Sequence, residues 1–102
     1  MEIKATKRKG LHRLAVSGEA TVYGVSEAAD TLRSALAGAE RLQVDLSSVS
    51  EIDSAFIQLL LAAGRQADRD GKKMEIVGYG GFGEEAILVL SALQIQSSAA
   101  SQ

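Results

Sequence analysis

The segment LQVDLSSVSEIDSAFIQLLLAAGRQADRDGKKMEIV, residues 42–77, decides the fold class. Leu42–Leu46 alternates apolar and polar residues, which predicts a strand with one buried face. Ser47–Ser50 is rich in serine and is interpreted as a loop. A helix is predicted from Ala55 to about Arg69, because its first half is almost wholly apolar and an Asp-Gly pair ends it. A second strand follows at Lys73–Val77.

The flanking sequence adds a hairpin before this segment, and a loop and a helix after it. The added elements are strands at Glu2–Lys7 and Leu11–Ser17, a helix capped by Ser26 and ended by Gly38, a loop at Gly78–Gly83, and a helix from Glu84 to about Leu93. The order ββαβαβα with short connections predicts an α/β domain with a mostly parallel sheet. We assign residues 1–96 to this single domain and expect residues 97–102, which are small and polar, to be a flexible C-terminal tail.

Composition excludes several classes of protein. The 102 residues are 46% hydrophobic and 24% charged, which is ordinary for one globular domain. The sequence contains no cysteine, so a disulfide framework and a thiolate metal centre are excluded. No stretch is long and apolar enough for a secretion signal or a membrane span, so we expect a cytoplasmic protein that is not embedded in a membrane.

Charge is distributed unevenly along the chain. Residues 1–13 contain five basic residues and one acidic residue, whereas the remaining chain contains six basic and twelve acidic residues. We interpret the basic segment as a charged edge strand. Two tyrosines, two phenylalanines and no tryptophan offer little surface for stacking on bases, so no nucleic-acid partner is expected.

The pair Asp53-Ser54 stands at the predicted start of the second helix. One interpretation is that either residue caps the helix, which contributes about 1 kcal/mol. The other is that Ser54 is phosphorylated, because a phosphate there would lie at the positive end of the helix and would change a docking surface without refolding it. The carboxylates of Glu51 and Asp53 would oppose a phosphate. From spacing alone, both interpretations stay open.

Other candidate constellations lack their context. Gly78–Gly83 matches G-x-G-x-x-G, but a dinucleotide site needs a further strand, and only nineteen residues follow Gly83. We interpret it as a flexible loop beside Ser54. The alternative is a nucleotide-binding module that uses this loop. This third functional class predicts that added nucleotide raises the melting temperature. His12 is the single histidine and is expected on the surface. The sequence offers no reason to assign acid–base work to the pair Asp45 and Asp53. No catalytic residue, metal site or cofactor is predicted.

Taken together, LQVDLSSVSEIDSAFIQLLL at residues 42–61 and DGKKMEIVG at residues 70–78 resemble the STAS domain, named for sulphate transporters and anti-sigma factor antagonists. With the hairpin before and the last helix after, the resemblance covers nearly the whole chain. It implies a non-enzymatic domain with a four- or five-stranded sheet, an N-terminal hairpin and helices packed mainly on one side.

The antagonist branch of this family implies specific site residues. By position, Ser54 is the serine that a partner kinase, itself the anti-sigma factor, phosphorylates to block binding, which implies bacterial signal transduction and transcription regulation. The predicted partner-binding residues are Asp45, Ser47, Ser48, Asp53, Ser54, Ala55, Phe56, Tyr79, Gly80 and Gly81. The family usually has glycine where Phe56 follows Ala55. A phenylalanine either turns inward as a core anchor or protrudes as a contact.

Two main functional classes follow from the resemblance. The first is an antagonist or chemotaxis-type signalling module that binds a kinase or anti-sigma-type partner around Ser54. The second is a constitutive subunit, similar to the STAS component of a bacterial lipid-transport ABC complex, that docks without phosphorylation. Both require a protein partner. The Ser54→Asp change distinguishes them, because only the first class predicts a response different from that of a neutral bulky residue.

Overall fold

The computed structural model describes residues 1–84 and 86–92. Its strands and main helices are β1 (Glu2–Arg8), β2 (Leu11–Ala20), α1 (Val25–Gly38), β3 (Arg41–Ile52), α2 (Ser54–Arg69) and β4 (Lys73–Val77), with a 3₁₀ turn at Val22–Gly24. Residues 84 and 86–92 are also helical and are called α3. The predicted order ββαβαβα is confirmed. The predicted tail, residues 97–102, lies outside the described residues.

The four strands form one sheet in the order β1-β2-β3-β4. β1 and β2 are antiparallel, whereas β2 pairs with β3 and β3 pairs with β4 in parallel. The hairpin turns through Lys9 and Gly10, both with positive φ. Each parallel pair is joined through a helix, as a crossover between parallel strands requires. The predicted mostly parallel α/β sheet with an N-terminal hairpin is confirmed.

One face of the sheet carries the core. Alternate residues of β2, β3 and β4 are buried there against α1 and α2, because strand side chains point to opposite faces in turn. The buried apolar strand residues are Leu14, Val16, Ala20, Leu42, Val44, Leu46, Val49, Met74 and Ile76. The opposite face is polar: Arg13 pairs with Asp45, and Gln43 donates to Glu75. The prediction that helices pack mainly on one side is confirmed.

β3 differs most from the sequence interpretation. The predicted loop Ser47–Ser50 is strand, and β3 continues to Ile52. The cause is pairing with the second half of β2, in which Ser17 lies opposite Ser48 and Ala20 opposite Ile52, with irregular register between. This pairing satisfies the backbone of a polar segment that has little strand propensity of its own. The Asp53-Ser54 pair is thereby carried to the end of a long central strand.

Two smaller expectations are also wrong. α1 begins at Val25 after Gly24, so Ser26 lies inside the helix and does not cap it. His12 is 7% exposed and is not a surface residue. It lies two residues before Leu14 in β2 and therefore on the same face, which the helices cover. A Cβ placed on Gly38, at the end of α1, would lie 3.2 Å from His12 Cε1. Among residues 1–84 and 86–92, no helix has the length and apolar character needed to cross a membrane.

Candidate functional site

Asp53 connects three elements at the carboxyl end of β3. Its Oδ1 accepts a hydrogen bond of 3.0 Å from the Phe56 amide, so Asp53 is the N-cap of α2. Its Oδ2 accepts a bond of 2.8 Å from the Val22 amide in the 3₁₀ turn. Its own amide donates to the Ala20 carbonyl over 3.1 Å. Of the two capping candidates, Asp53 is the cap, and it also fixes the neighbouring turn.

Ser54 is the first residue of α2 and is exposed. The Phe56 amide donates to the Asp53 side chain, and the Ile57 amide donates to the Asp53 carbonyl. Within the part of the chain that the structure describes, the amides of Ser54 and Ala55 have no hydrogen-bond partner, as expected for the first turn of a helix. Unpaired amides and the positive helix end favour an anion at this position.

An open groove of about 710 Å³ begins at Ser54 and runs between α2 and α3. One wall is the apolar side of α2, and the other is formed by the loop before α3 and by α3 itself. The residues that line the groove are Ser50, Glu51, Ile52, Asp53, Ser54, Ile57, Gln58, Leu61, Gly81, Phe82, Gly83, Ala86 and Val89. Six of these thirteen residues are aliphatic or aromatic, five are polar and two are glycine, and four of the five polar residues lie within Ser50–Ser54. Such a groove suits an apolar segment of another protein.

Phe56 turns inward. Its side chain is 1% exposed and belongs to the core cluster beneath the sheet. The sequence left two alternatives for Phe56, a core anchor or a protruding contact. The structure shows the core anchor. Its place among the predicted partner-binding residues stays a prediction, but its side chain does not contribute to the outer surface. The reason is helical geometry: Phe56 and Leu60 are four residues apart and share the buried face of α2.

A second group of predicted residues lies farther back along β3. Asp45 Oδ1 accepts from the Ser47 amide over 2.9 Å, and Oδ2 accepts from Arg13 over 2.5 Å. The hydrogen bonds from Ser47 are the main cause that lowers the pKa of Asp45, and Arg13 adds to the effect, while burial opposes it. Asp45 is thus an ionised structural carboxylate, and no observation assigns it acid–base work.

Gly78 completes this second group. Its φ is +78°, and a Cβ there would lie 2.6 Å from the Ser47 amide nitrogen and 2.7 Å from Asp45 Oδ1. Only glycine combines that backbone conformation with so close an approach. Asp45 and Ser54 are separated by the rest of β3, roughly 20–25 Å at the usual rise per residue. The predicted partner-binding residues therefore form two clusters, one around Asp45 and one around Ser54.

The remaining predicted residues divide between surface and interior. Ser47, Ser48, Gly80 and Gly81 are exposed, Ala55 is partly buried, and Gly81 lines the groove. Tyr79 is partly buried against the core, with its hydroxyl 3.5 Å from Ser91 Oγ. Among residues 1–84 and 86–92, no strand follows the Gly78–Gly83 loop, so the unit that a dinucleotide fingerprint requires is not present there.

Sequence reasoning missed two parts of the site. The exposed turn residue Val22 donates its amide to Asp53, a contact between residues 31 positions apart that no local pattern indicates. The groove residues Ile57 and Leu61 were recognised only as part of an apolar helix. Their spacing of four residues placed them on one side of α2, but the position of α3 was needed to show that this side borders an open groove.

Comparisons with known proteins agree with this architecture. Residues 5–96 match the family described as "Mlab, STAS domain". The anti-sigma factor antagonist SpoIIAA in its unphosphorylated form aligns with a TM-score of 0.72 at 12% identity, over 88% of this chain and 82% of its own. An anti-sigma factor antagonist from Mycobacterium paratuberculosis aligns with a TM-score of 0.72 at 18% identity, over 93% of this chain and 80% of its own. Mglu aligns with a TM-score of 0.66 at 20% identity, over 79% of this chain but 19% of Mglu. A comparison with curated proteins finds no match.

Proposed function

Because the chain belongs to the family described as Mlab, STAS domain, we propose that it is a non-enzymatic regulatory module that binds a protein partner at the surface around Ser54. The partner is a kinase or anti-sigma-type signalling protein of the bacterial cytoplasm. Phosphorylation of Ser54 prevents binding. The comparison with an anti-sigma factor antagonist described in its unphosphorylated form supports this choice.

One observation carries the proposal: Ser54 is an exposed hydroxyl at the mouth of a groove that Ile57, Leu61 and Phe82 help to line. A kinase can reach its Oγ without unfolding any element. A partner segment that fills the groove between Ile57 and Phe82 would cover Ser54 as it binds. The modification site and the contact surface thus coincide, as a switch requires.

The effect of a phosphate follows from its surroundings. Phosphorylation adds up to two negative charges and three strongly hydrated oxygens. The free amides of Ser54 and Ala55 accommodate these oxygens in the isolated protein. In the complex, the phosphate would be buried beside an apolar partner segment and close to Glu51, at a large desolvation cost. The phosphate is therefore tolerated by the fold and excluded by the interface.

A second candidate is a constitutive docking subunit, similar to the STAS component of a bacterial lipid-transport ABC complex. The match to a family described by the name Mlab favours it. So does the buried Phe56, which stands where the antagonist pattern usually has glycine. In this alternative the groove stays permanently occupied, and Ser54 acts only as a small residue that permits close contact.

Three variants at one position distinguish the two candidates. Each is tagged and expressed in the native cells, and the co-purifying proteins are quantified by mass spectrometry. Under the switch, Ser54→Ala retains the partner, Ser54→Asp loses it, and the isosteric, neutral Ser54→Asn retains more of it than Ser54→Asp does. Equal losses for Ser54→Asp and Ser54→Asn would leave only the constitutive subunit. Full retention of the partner by all three variants would refute docking at Ser54 in either form.

A further inference from the structure

The basic edge strand β1 is not used by the site around Ser54. Within the described part of the chain, β1 pairs with β2 alone, so its outer edge presents backbone N–H and C=O groups to solvent. Every residue of β1 except Ile3 is exposed. The strand contains three basic residues and one acidic residue. An exposed edge of this length can accept another strand.

A cavity of about 380 Å³ lies beneath this edge, between β1 and α1. On the helix side of β1, Ala5 and Lys7 are exposed, whereas Ile3 packs against the core. The residues that line the cavity are Ala5, Thr6, Lys7, His12, Leu14, Asp30, Thr31, Ser34 and Ala35. It is open to solvent, and six of its nine lining residues are polar or charged. The other three, Ala5, Leu14 and Ala35, form an apolar part that has room for aliphatic side chains from a neighbouring strand.

The two faces of β1 differ in character. Ile3, Ala5 and Lys7 lie opposite Val16, Leu14 and His12, which places them on the helix side. Ala5 and Lys7 line the cavity, whereas Ile3 packs against the core. Lys4 and Arg8 lie on the open side of the sheet, with Glu2. A strand added to β1 would follow the same alternation. Its side chains would meet basic groups on one face and the cavity on the other.

From these observations we propose that β1 accepts an extended segment of a protein partner as a fifth strand, with acidic side chains facing Lys4 and Arg8 and apolar side chains entering the cavity. The backbone supplies affinity, and the alternation of acidic and apolar residues supplies specificity. A second copy of the chain is not the occupant, because two β1 strands would each bring a net charge of +2 to the contact. The proposal is independent of Ser54 and its groove.

The probe for this surface is a blocked heptapeptide that alternates Glu and Val, which pairs equally well in either strand direction. Amide chemical shifts and hydrogen exchange are recorded on the ¹⁵N-labelled protein during titration. We expect shifts at β1 and at the residues around the cavity, and slower exchange of the outward β1 amides. A peptide with Lys in place of Glu, and one of the same composition with all Glu residues first, serve as controls and should give much smaller shifts.

Two variants test the two parts of the surface. Lys4→Glu with Arg8→Glu replaces two attractions by repulsions and should weaken binding about tenfold. The matched pair Arg65→Glu with Arg69→Glu makes the same charge change on exposed positions of α2 and should change binding less than about twofold. Ser34→Phe places a large side chain from an exposed position into the cavity and should block binding without loss of the fold.

Several results would overturn the proposal. Absence of shifts at millimolar alternating peptide would exclude strand addition at β1. Equal binding of the two peptides of the same composition would reduce the effect to charge alone. Oligouridylate that produces the same shifts and the same protection would make β1 a general anion-binding edge, which also contradicts a fifth strand.

Discussion

Replacement of Asp53 by alanine tests how the structure positions Ser54. The carboxylate satisfies the Phe56 amide at the start of α2 and the Val22 amide in the preceding turn. Loss of an N-cap costs about 1 kcal/mol. Loss of a second hydrogen bond, made to a charged acceptor, adds about 1–2 kcal/mol. We therefore expect Asp53→Ala to lower the free energy of unfolding by about 2–3 kcal/mol.

The assay is urea unfolding followed by circular dichroism, supported by thermal melts. For a domain of this size the expected loss corresponds to a decrease in melting temperature of roughly 10–20 °C. A protein with about 5–15 kcal/mol of stability still folds after such a loss. Asp53→Asn keeps one acceptor oxygen but loses the negative charge, so we expect about half the loss of unfolding free energy.

Ser54→Ala is the matched control, because Ser54 is the exposed neighbour of the cap and donates no hydrogen bond to the described chain. Its effect should stay below about 0.5 kcal/mol. The reasoning is refuted if Asp53→Ala costs less than about 1 kcal/mol, or if Ser54→Ala is equally destabilising. Either result would mean that the carboxylate does not hold the turn and the helix together.

Three further predictions concern the core, the Gly78 turn and pH. Phe56→Ala should cost about 3–5 kcal/mol in urea unfolding because the side chain is buried, whereas Leu88→Ala, at a site 70% exposed, should cost less than about 0.5 kcal/mol; a small loss at Phe56 would contradict its place in the core. Gly78→Ala should cost more than about 1 kcal/mol because of its positive φ and close contacts, and Gly80→Ala, in open space, should be nearly neutral; equal effects would contradict the geometry. The lowered pKa of Asp45 means that its ionised form adds stability above the ordinary value of 3.8, and this stability is lost as pH falls through the lower native pKa. The difference in unfolding free energy between wild type and Asp45→Asn should therefore shrink as the pH falls from 3.8 through the native pKa. A difference independent of pH would refute the claim that ionised Asp45 stabilises the fold.

Local pattern was sufficient for much of the fold. The alternation in Lys73–Val77 predicts the bounds of β4 as observed, and Gly38 ends α1 as predicted. These elements have their hydrophobic period and their end signals in adjacent residues. The same holds for Asp53, a residue type that commonly caps helices. Where a few neighbouring residues determine the geometry, the sequence alone predicts the element and its end.

Long-range pairing explains what sequence patterns did not predict. Ser47–Ser50 has loop composition, yet it is strand because the second half of β2 lies beside it. His12 is a polar residue on a buried face, and its burial depends on where α1 ends. The groove next to Ser54 depends on α3, whose residues line it together with residues of α2. Such features depend on contacts between distant parts of the chain.

The most direct test of the account compares the modification of Ser54 in two fractions of the same protein. The tagged protein is isolated from its native cells, partner-bound and free forms are separated, and the peptide containing Ser54 is quantified by mass spectrometry in each. We predict that phosphorylated Ser54 is abundant in the free fraction and nearly absent from the bound one. Equal phosphate content in both fractions, or unmodified Ser54 under every growth condition, would contradict a phosphorylation switch at this surface.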